Sequence, residues 1–156
     1  MSQNALAELL VSGTRAGRAA AERAAEGPQR PVEPSEARSV AERAKWIRRR
    51  DKGIRPGVLR NRLRTLMWEE VGVFRSGPGL RSAQVELEEI KADLDSQCPA
   101  LKSDRHNQEL IEALENRFLV QTARCIIEGA LRRTESRGAH YRDDCPETDN
   151  QNWLKH

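Results

Sequence analysis

The chain has 156 residues, 37% of them hydrophobic and 33% charged, with a formal net charge of +3. That length fits one compact domain and excludes a large enzyme carrying its own cofactor-binding fold, and the charge density favours amphipathic helices over a thick two-sided core. No apolar stretch approaches the ~20 residues that span a bilayer, and Cys98, Cys125 and Cys145 form no CxxC ligand pair, so a reduced, cytosolic-side location is the simplest reading.

In chain order, residues 4–26 read as a helix. Leu6, Leu9 and Leu10 supply apolar contacts. Gly13, Ala16, Gly17, Ala20, Ala21 and Ala24 then make the following turns small. Such a helix packs close to a neighbour but buries little surface of its own, so it asks for a large partner. Residues 27–34 contain Pro28, Pro31 and Pro34 and read as a linker. Ser35 is placed to cap a second helix running to about residue 50. Pro56 opens a third helix whose apolar set is Leu59, Leu63, Leu66 and Met67, with Gly72 positioned to end it.

Residues 75–79 read as a turn. The fourth helix then sets Leu80, Ala83, Leu87, Ile90 and Leu94 at alternating intervals of three and four. Asp104 is a candidate start for the last long helix, with Ile111, Leu114, Phe118, Ile126 and Leu131 as its apolar surface. Beyond residue 136 the pattern fails, and residues 138–156 are polar, carry Pro146, and are expected to be extended or irregular. The predicted fold is all-α: an antiparallel three-helix bundle, preceded by a small-residue-rich helix and followed by an irregular tail. The expected divisions are a helix at 1–27, a linker and connecting helix at 28–54, a bundle at 55–136 and a docking tail at 137–156.

Between Lys45 and Arg64 runs a basic segment that includes Arg48, Arg49, Arg50, Lys52, Arg55, Arg60 and Arg62, opposed there only by Asp51. Such a run can track phosphates, with Trp46 as a stacking face, or it can be a solvated or partner-paired surface. No nucleic-acid-binding signature accompanies it, which favours the second reading. His106, His140 and His156 have neither i, i+4 spacing nor a cysteine at ligand distance, so no metal site is expected. His140 sits in a dense polar cluster with Arg137, Tyr141, Arg142, Asp143 and Asp144. That cluster reads as a hydrogen-bonded tail fastened to another surface, rather than as an acid–base site. No Gly-rich dinucleotide loop, Walker motif or nucleophile elbow is present.

Three stretches, taken together, carry a resemblance. Asn4-Ala5-Leu6-Ala7-Glu8-Leu9-Leu10-Val11, Met67-Trp68-Glu69-Glu70-Val71-Gly72-Val73-Phe74-Arg75, and Glu135-Ser136-Arg137-Gly138-Ala139-His140-Tyr141-Arg142-Asp143-Asp144-Cys145-Pro146 occur in that order. With the Asn152-Trp153-Leu154-Lys155-His156 ending, they resemble the C-terminal part of succinate dehydrogenase and fumarate reductase flavoproteins. L-aspartate oxidase is the related alternative, and a free-standing nucleic-acid- or protein-binding module is another.

The resemblance implies a helical domain that follows a flavin-binding domain and a capping domain. It implies FAD in the parent enzyme, with Asn4, Ala5 and Leu6 at the pyrimidine end of the flavin ring, and no cofactor on this chain alone. Ala5 stands where the family usually has serine, so the implied contact there is through backbone donors. The dicarboxylate-binding and proton-transfer residues of the family belong to its N-terminal part, so no residue here takes a catalytic role and the chain alone is expected to be inactive. Arg137, His140, Arg142 and Asp143 become anchors of a docking tail. The implied partners are the flavin and capping domains and an iron–sulfur subunit, with self-association of the isolated chain. The implied location is cytoplasmic, peripheral to a membrane through partner subunits.

Overall fold

A computed structural model describes residues 3–27, 34–103 and 105–154, without the side chains of residues 3–6 and 36. The chain divides into two compact units, residues 1–37 and 38–156.

The first unit is built on α1 (Gln3–Ala25). Its described side chains are all exposed, among them Leu9, Leu10 and Val11. A helix is a cooperative structure with a costly first turn, and most helices in proteins draw their stability from a packed face. α1 has none within its own unit.

A second helix, α2 (Pro34–Arg49), begins two residues earlier than expected, so Ser35 lies inside it rather than capping it. Proline suits a first helical position because the amide it lacks would have no partner there. Near the end of α2, Ile47 is buried and the Arg50 guanidinium stacks over Trp46 at 4.7 Å from the ring centre. The chain then passes through Gly53, whose φ is +153°, and Ile54 bonds on both sides of Gln97: Ile54 N donates to Ser96 O at 2.9 Å and Cys98 N donates to Ile54 O at 2.8 Å. A Cβ on residue 53 would collide with the Ser96 carbonyl, so glycine is required by both the dihedral and the close approach.

Three helices form the core: α3 (Pro56–Glu69), α4 (Gly77–Asp93) and α5 (Gln108–Arg132). Arg62 of α3 pairs with Glu86, Glu89 and Asp93 of α4, while Arg55 and Arg60 pair with Glu109 and Glu115 of α5. These pairings set α4 antiparallel to α3 and α5 parallel to it, so the helices run up, down and up, joined by residues 70–76 and by the longer connection of residues 94–107. Leu59, Leu63 and Leu66 meet Leu80, Ala83, Leu87, Ile90 and Leu94 in the core, as the spacing predicts.

Four local expectations are corrected. α4 begins at Gly77, so residues 77–79 form its first turn; Ser76 caps it by accepting from Gly79 N at 3.1 Å, and Pro78 fits the start. α3 closes when Glu70 N bonds Leu66 O, and Gly72 serves a tight approach, since a Cβ there would stand 2.5 Å from the Trp68 carbonyl oxygen. α5 is capped by Asn107, whose Oδ1 accepts from Leu110 N at 3.0 Å; Asp104 lies outside the described residues. Most consequentially, α5 buries Ala113, Asn116, Val120, Ala123, Ile127 and Ala130, leaving Ile111, Phe118 and Ile126 exposed. α5 packs against α3 and α4 together, and small residues let three helix axes converge. Leu131 packs against the core as expected and Leu114 is half-buried, so residue size misplaced Ile111, Phe118 and Ile126.

The tail is more ordered than its polar composition implied. β2 (Tyr141–Arg142) pairs in parallel with β1 (Phe74–Arg75), matching Phe74 to Tyr141 and Arg75 to Arg142, and a short α6 (Asn150–Trp153) follows. Helices nonetheless dominate, and the fold is the expected all-α bundle.

Candidate functional site

The chemistry-bearing residues gather where the tail folds back over one end of the bundle. α5 stops at Arg132, leaving carbonyls without intrahelical partners. Arg142, only 4% exposed, supplies the missing donors: its Nη1 lies 3.1, 3.0 and 2.9 Å from the carbonyl oxygens of Ala130, Leu131 and Arg133. Its other edge grips Asp144 with Nε–Oδ1 at 3.0 Å and Nη2–Oδ2 at 2.6 Å. That hydrogen bond, followed by the amide of Gly77 at the start of α4, holds the Asp144 carboxyl down to about 2. The pair therefore sets a cation against the negative end of α5 and an anion against the positive end of α4. Gly77 is part of the device, because a Cβ there would meet Asp144 Oδ2 at 2.6 Å and Arg142 Nη2 at 3.0 Å.

A second knot surrounds Glu135, which is fully buried. Arg137 donates to both of its oxygens at 2.9 Å, Arg133 Nε donates at 3.1 Å, and the Asp149 amide donates at 2.8 Å. The Arg137 hydrogen bond, followed by the Asp149 amide, holds this carboxyl at about 2 despite burial. Asp149 in turn caps α6, and the ring of Trp153 lies under Arg133 at 5.6 Å.

His140 completes the arrangement. Its Nδ1 accepts from Arg75 Nη1 at 2.8 Å, while Arg75 Nε bonds the Val71 and Gly72 carbonyls. Burial, then the Arg75 charge, pushes the imidazole below its ordinary range, so it is neutral and serves as an acceptor. Asp143 N closes on Arg75 O at 2.8 Å.

The structure thus brings together all four predicted tail residues. Arg142 spends its side chain on the end of α5, His140 on Arg75 of β1 and Arg137 on Glu135 and Asn150 within the tail, while Asp143 is exposed and linked through its backbone. Asp144 belongs to the polar cluster read from sequence, whereas Glu135 was not singled out; an acidic residue two positions from an arginine was the available signal. The predicted cofactor contacts, Asn4, Ala5 and Leu6, fall in the first turn of α1, and their side chains lie outside the described residues. That turn contains no acidic residue.

The basic run is divided by the fold. Arg55, Arg60 and Arg62 are matched by acidic residues of α4 and α5, and Lys45 by Glu42. Among the described residues no group of three His, Cys, Asp or Glu side chains is placed to hold a metal, and no helix is long and apolar enough to cross a membrane.

Comparison with known proteins places these features in context. Residues 60–156 match the family described as fumarate reductase flavoprotein C-terminus. The fumarate reductase flavoprotein subunit of Mycobacterium tuberculosis is 34% identical over an alignment that covers 100% of this chain and 28% of that protein. That of Helicobacter pylori is 44% identical over 62% of this chain and 13% of its own length. A chain of E. coli quinol fumarate reductase superposes with a TM-score of 0.83 at 30% identity, covering 96% of this chain and 26% of that one. The chain therefore spans about a quarter of the M. tuberculosis and E. coli chains that it matches nearly end to end. These matches hold the succinate dehydrogenase and fumarate reductase branch over L-aspartate oxidase and over a free-standing nucleic-acid module.

Proposed function

This chain belongs to the family of fumarate reductase flavoprotein C-terminal domains, and from that premise we propose that it works as the helical support of an FAD-dependent succinate or fumarate oxidoreductase. The observation that carries the proposal is α1, a 23-residue helix whose described side chains are all exposed, in a chain that matches flavoproteins about four times its length. A helix in that state is completed by a body it packs against.

The residues present fit a flavin at one point. The α1 amino terminus at Asn4, Ala5 and Leu6 offers backbone donors and the positive end of a helix dipole, which would hold and orient an electron-rich ring. When bound, the flavin supplies the two-electron exchange with a dicarboxylate. This chain's own residues bind and position, and the proton transfer belongs to the rest of the parent enzyme. The clamp around Arg142 and Glu135 keeps the tail folded, and the exposed Asp143 carboxylate is its contribution to docking. A flavin-binding domain, a capping domain and an iron–sulfur subunit are the proposed partners, at the cytoplasmic face of a membrane.

A chimera tests this reading. The present chain replaces the matched quarter of the M. tuberculosis flavoprotein subunit, and flavin content and fumarate reduction are measured. The chimera is expected to hold flavin and the isolated chain to hold none. A chimera that folds yet binds no flavin, or an isolated chain that reduces fumarate, defeats the proposal.

A further inference from the structure

His140 sits where a second proton has no place. Its Nδ1 accepts from Arg75 Nη1 at 2.8 Å, so the neutral ring carries its proton on Nε2, which is buried and makes no hydrogen bond. An imidazolium donates from both nitrogens. Once protonated, the ring would point an N–H at the N–H of Arg75 and set two cations in contact. Arg133 and Arg142 add positive charge around it. Against these, the Arg133 backbone carbonyl favours the cation, but more weakly than burial and the Arg75 charge oppose it.

Arg75 is not free to step aside. Its Nε donates to Val71 O at 3.1 Å and Gly72 O at 2.9 Å, which fixes the guanidinium to the turn after α3. His140 rides instead on a turn of residues 137–140, exposed at Gly138 and Ala139 and closed by two backbone hydrogen bonds between Arg137 and His140. That turn leads straight into β2, whose two residues pair with β1, and Asp143 N closes the seam on Arg75 O at 2.8 Å. A ring that leaves Arg75 takes β2 with it.

We propose that the β1–β2 seam is an acid-released clasp: protonation of His140 breaks its hydrogen bond with Arg75 and parts β2 from β1 while the bundle stays folded. The carboxylates of the tail leave this step to the histidine. Glu135 and Asp144 are held at about 2, so both stay ionised through the range in which an imidazole titrates. The Glu135 knot and the Arg142 fork keep their partners, which confines the opening to the seam. The device is independent of the flavoprotein assignment, because every group in it belongs to this chain.

Amide hydrogen exchange followed by NMR, corrected for the intrinsic pH dependence of exchange, tests the clasp on the full 156-residue chain. A ring that stays neutral only in the closed seam favours the open form about tenfold for each pH unit below its ordinary 6.5. Protection of the Asp143 amide is therefore expected to fall at least ~10-fold between pH 7.5 and pH 5. The Cys98 amide, bonded to Ile54 O outside the tail, is expected to keep its protection. His140→Gln can accept from Arg75 but takes up no proton, and it should hold Asp143 protection constant. Equal protection of Asp143 at both pH values, an equal fall in His140→Gln, or a parallel loss at Cys98 overturns the proposal. Imidazole nitrogen shifts of the unaltered chain add a readout that needs no variant: a charged His140 at pH 5 with Asp143 still protected also overturns it.

Discussion

Inside the bundle, Asn116 Nδ2 donates a 2.7 Å hydrogen bond to Gln97 Oε1, joining the fully buried side chains of α5 and the loop after α4. Each amide is used on its other side as well. Asn116 Nδ2 also donates to Pro56 O, its Oδ1 accepts from Arg60, and Gln97 Nε2 donates to Leu94 O and Ala113 O. The two residues tie the start of α3, the end of α4 and the body of α5 into one polar knot.

Asn116→Ala should therefore cost more than its size implies. It strands the Pro56 carbonyl and the Gln97 amide oxygen in a dry interior, at about 1–3 kcal/mol for each unsatisfied group. Urea unfolding should show a fall of roughly 2–6 kcal/mol on that basis, with the slope unchanged. A loss below about 0.5 kcal/mol, the range of ordinary surface substitutions, would show that the knot is dispensable.

Arg142 is the residue on which the tail depends. Arg142→Ala leaves three α5 carbonyls and Asp144 without their donor, a disruption on the order of 3 kcal/mol. Arg142→Lys should rescue little, because an ammonium lacks the planar fork that serves Asp144 and the helix end at once. Limited proteolysis should cut both variants within residues 137–154 before the bundle is touched. Equal protease resistance in wild type and Arg142→Lys would refute the fork argument.

Acid should loosen the same region. Glu135 and Asp144 are held at about 2, against ordinary values of 4.5 and 3.8. Between those limits the unfolded chain binds more protons than the folded one, so their contribution is present above the ordinary values and is lost as pH falls toward 2. His140 is shifted down from 6.5, so the unfolded chain also takes up its proton first, and stability begins to decline below that pH. Unfolding midpoints measured from pH 7 to pH 3 should fall throughout. Glu135→Gln should flatten the acidic part of the curve, and His140→Gln the part just below 6.5. A wild-type midpoint that does not change with pH would contradict both assignments.

Gly53→Ala tests the Ile54–Gln97 bridge. The φ of +153° is strained for any residue with a side chain, and the new methyl would strike the Ser96 carbonyl. A loss of about 2–3 kcal/mol is expected from strain and overpacking. Gly129→Ala, with open space around it, should instead raise the stability of the isolated chain by up to about 1 kcal/mol. The two substitutions shifting the melting temperature in the same direction would count against this account.

Much was legible in the sequence because helical period is a local property. Leu80, Ala83, Leu87, Ile90 and Leu94 announce their face by spacing alone, and the tail motif carried the family resemblance. What sequence could not rank was which of two apolar faces of α5 turns inward. That depends on how closely α3 and α4 approach it, and the alanine face won because it lets three axes converge while Phe118 and Ile126 remain outside. The tail shows the same division. Its residues name a family, but only folding brings the Arg142 guanidinium, nine residues beyond Arg133, back onto the end of α5. A hydrogen bond from a guanidinium to carbonyls across a chain reversal is set by tertiary geometry, and no local pattern encodes it.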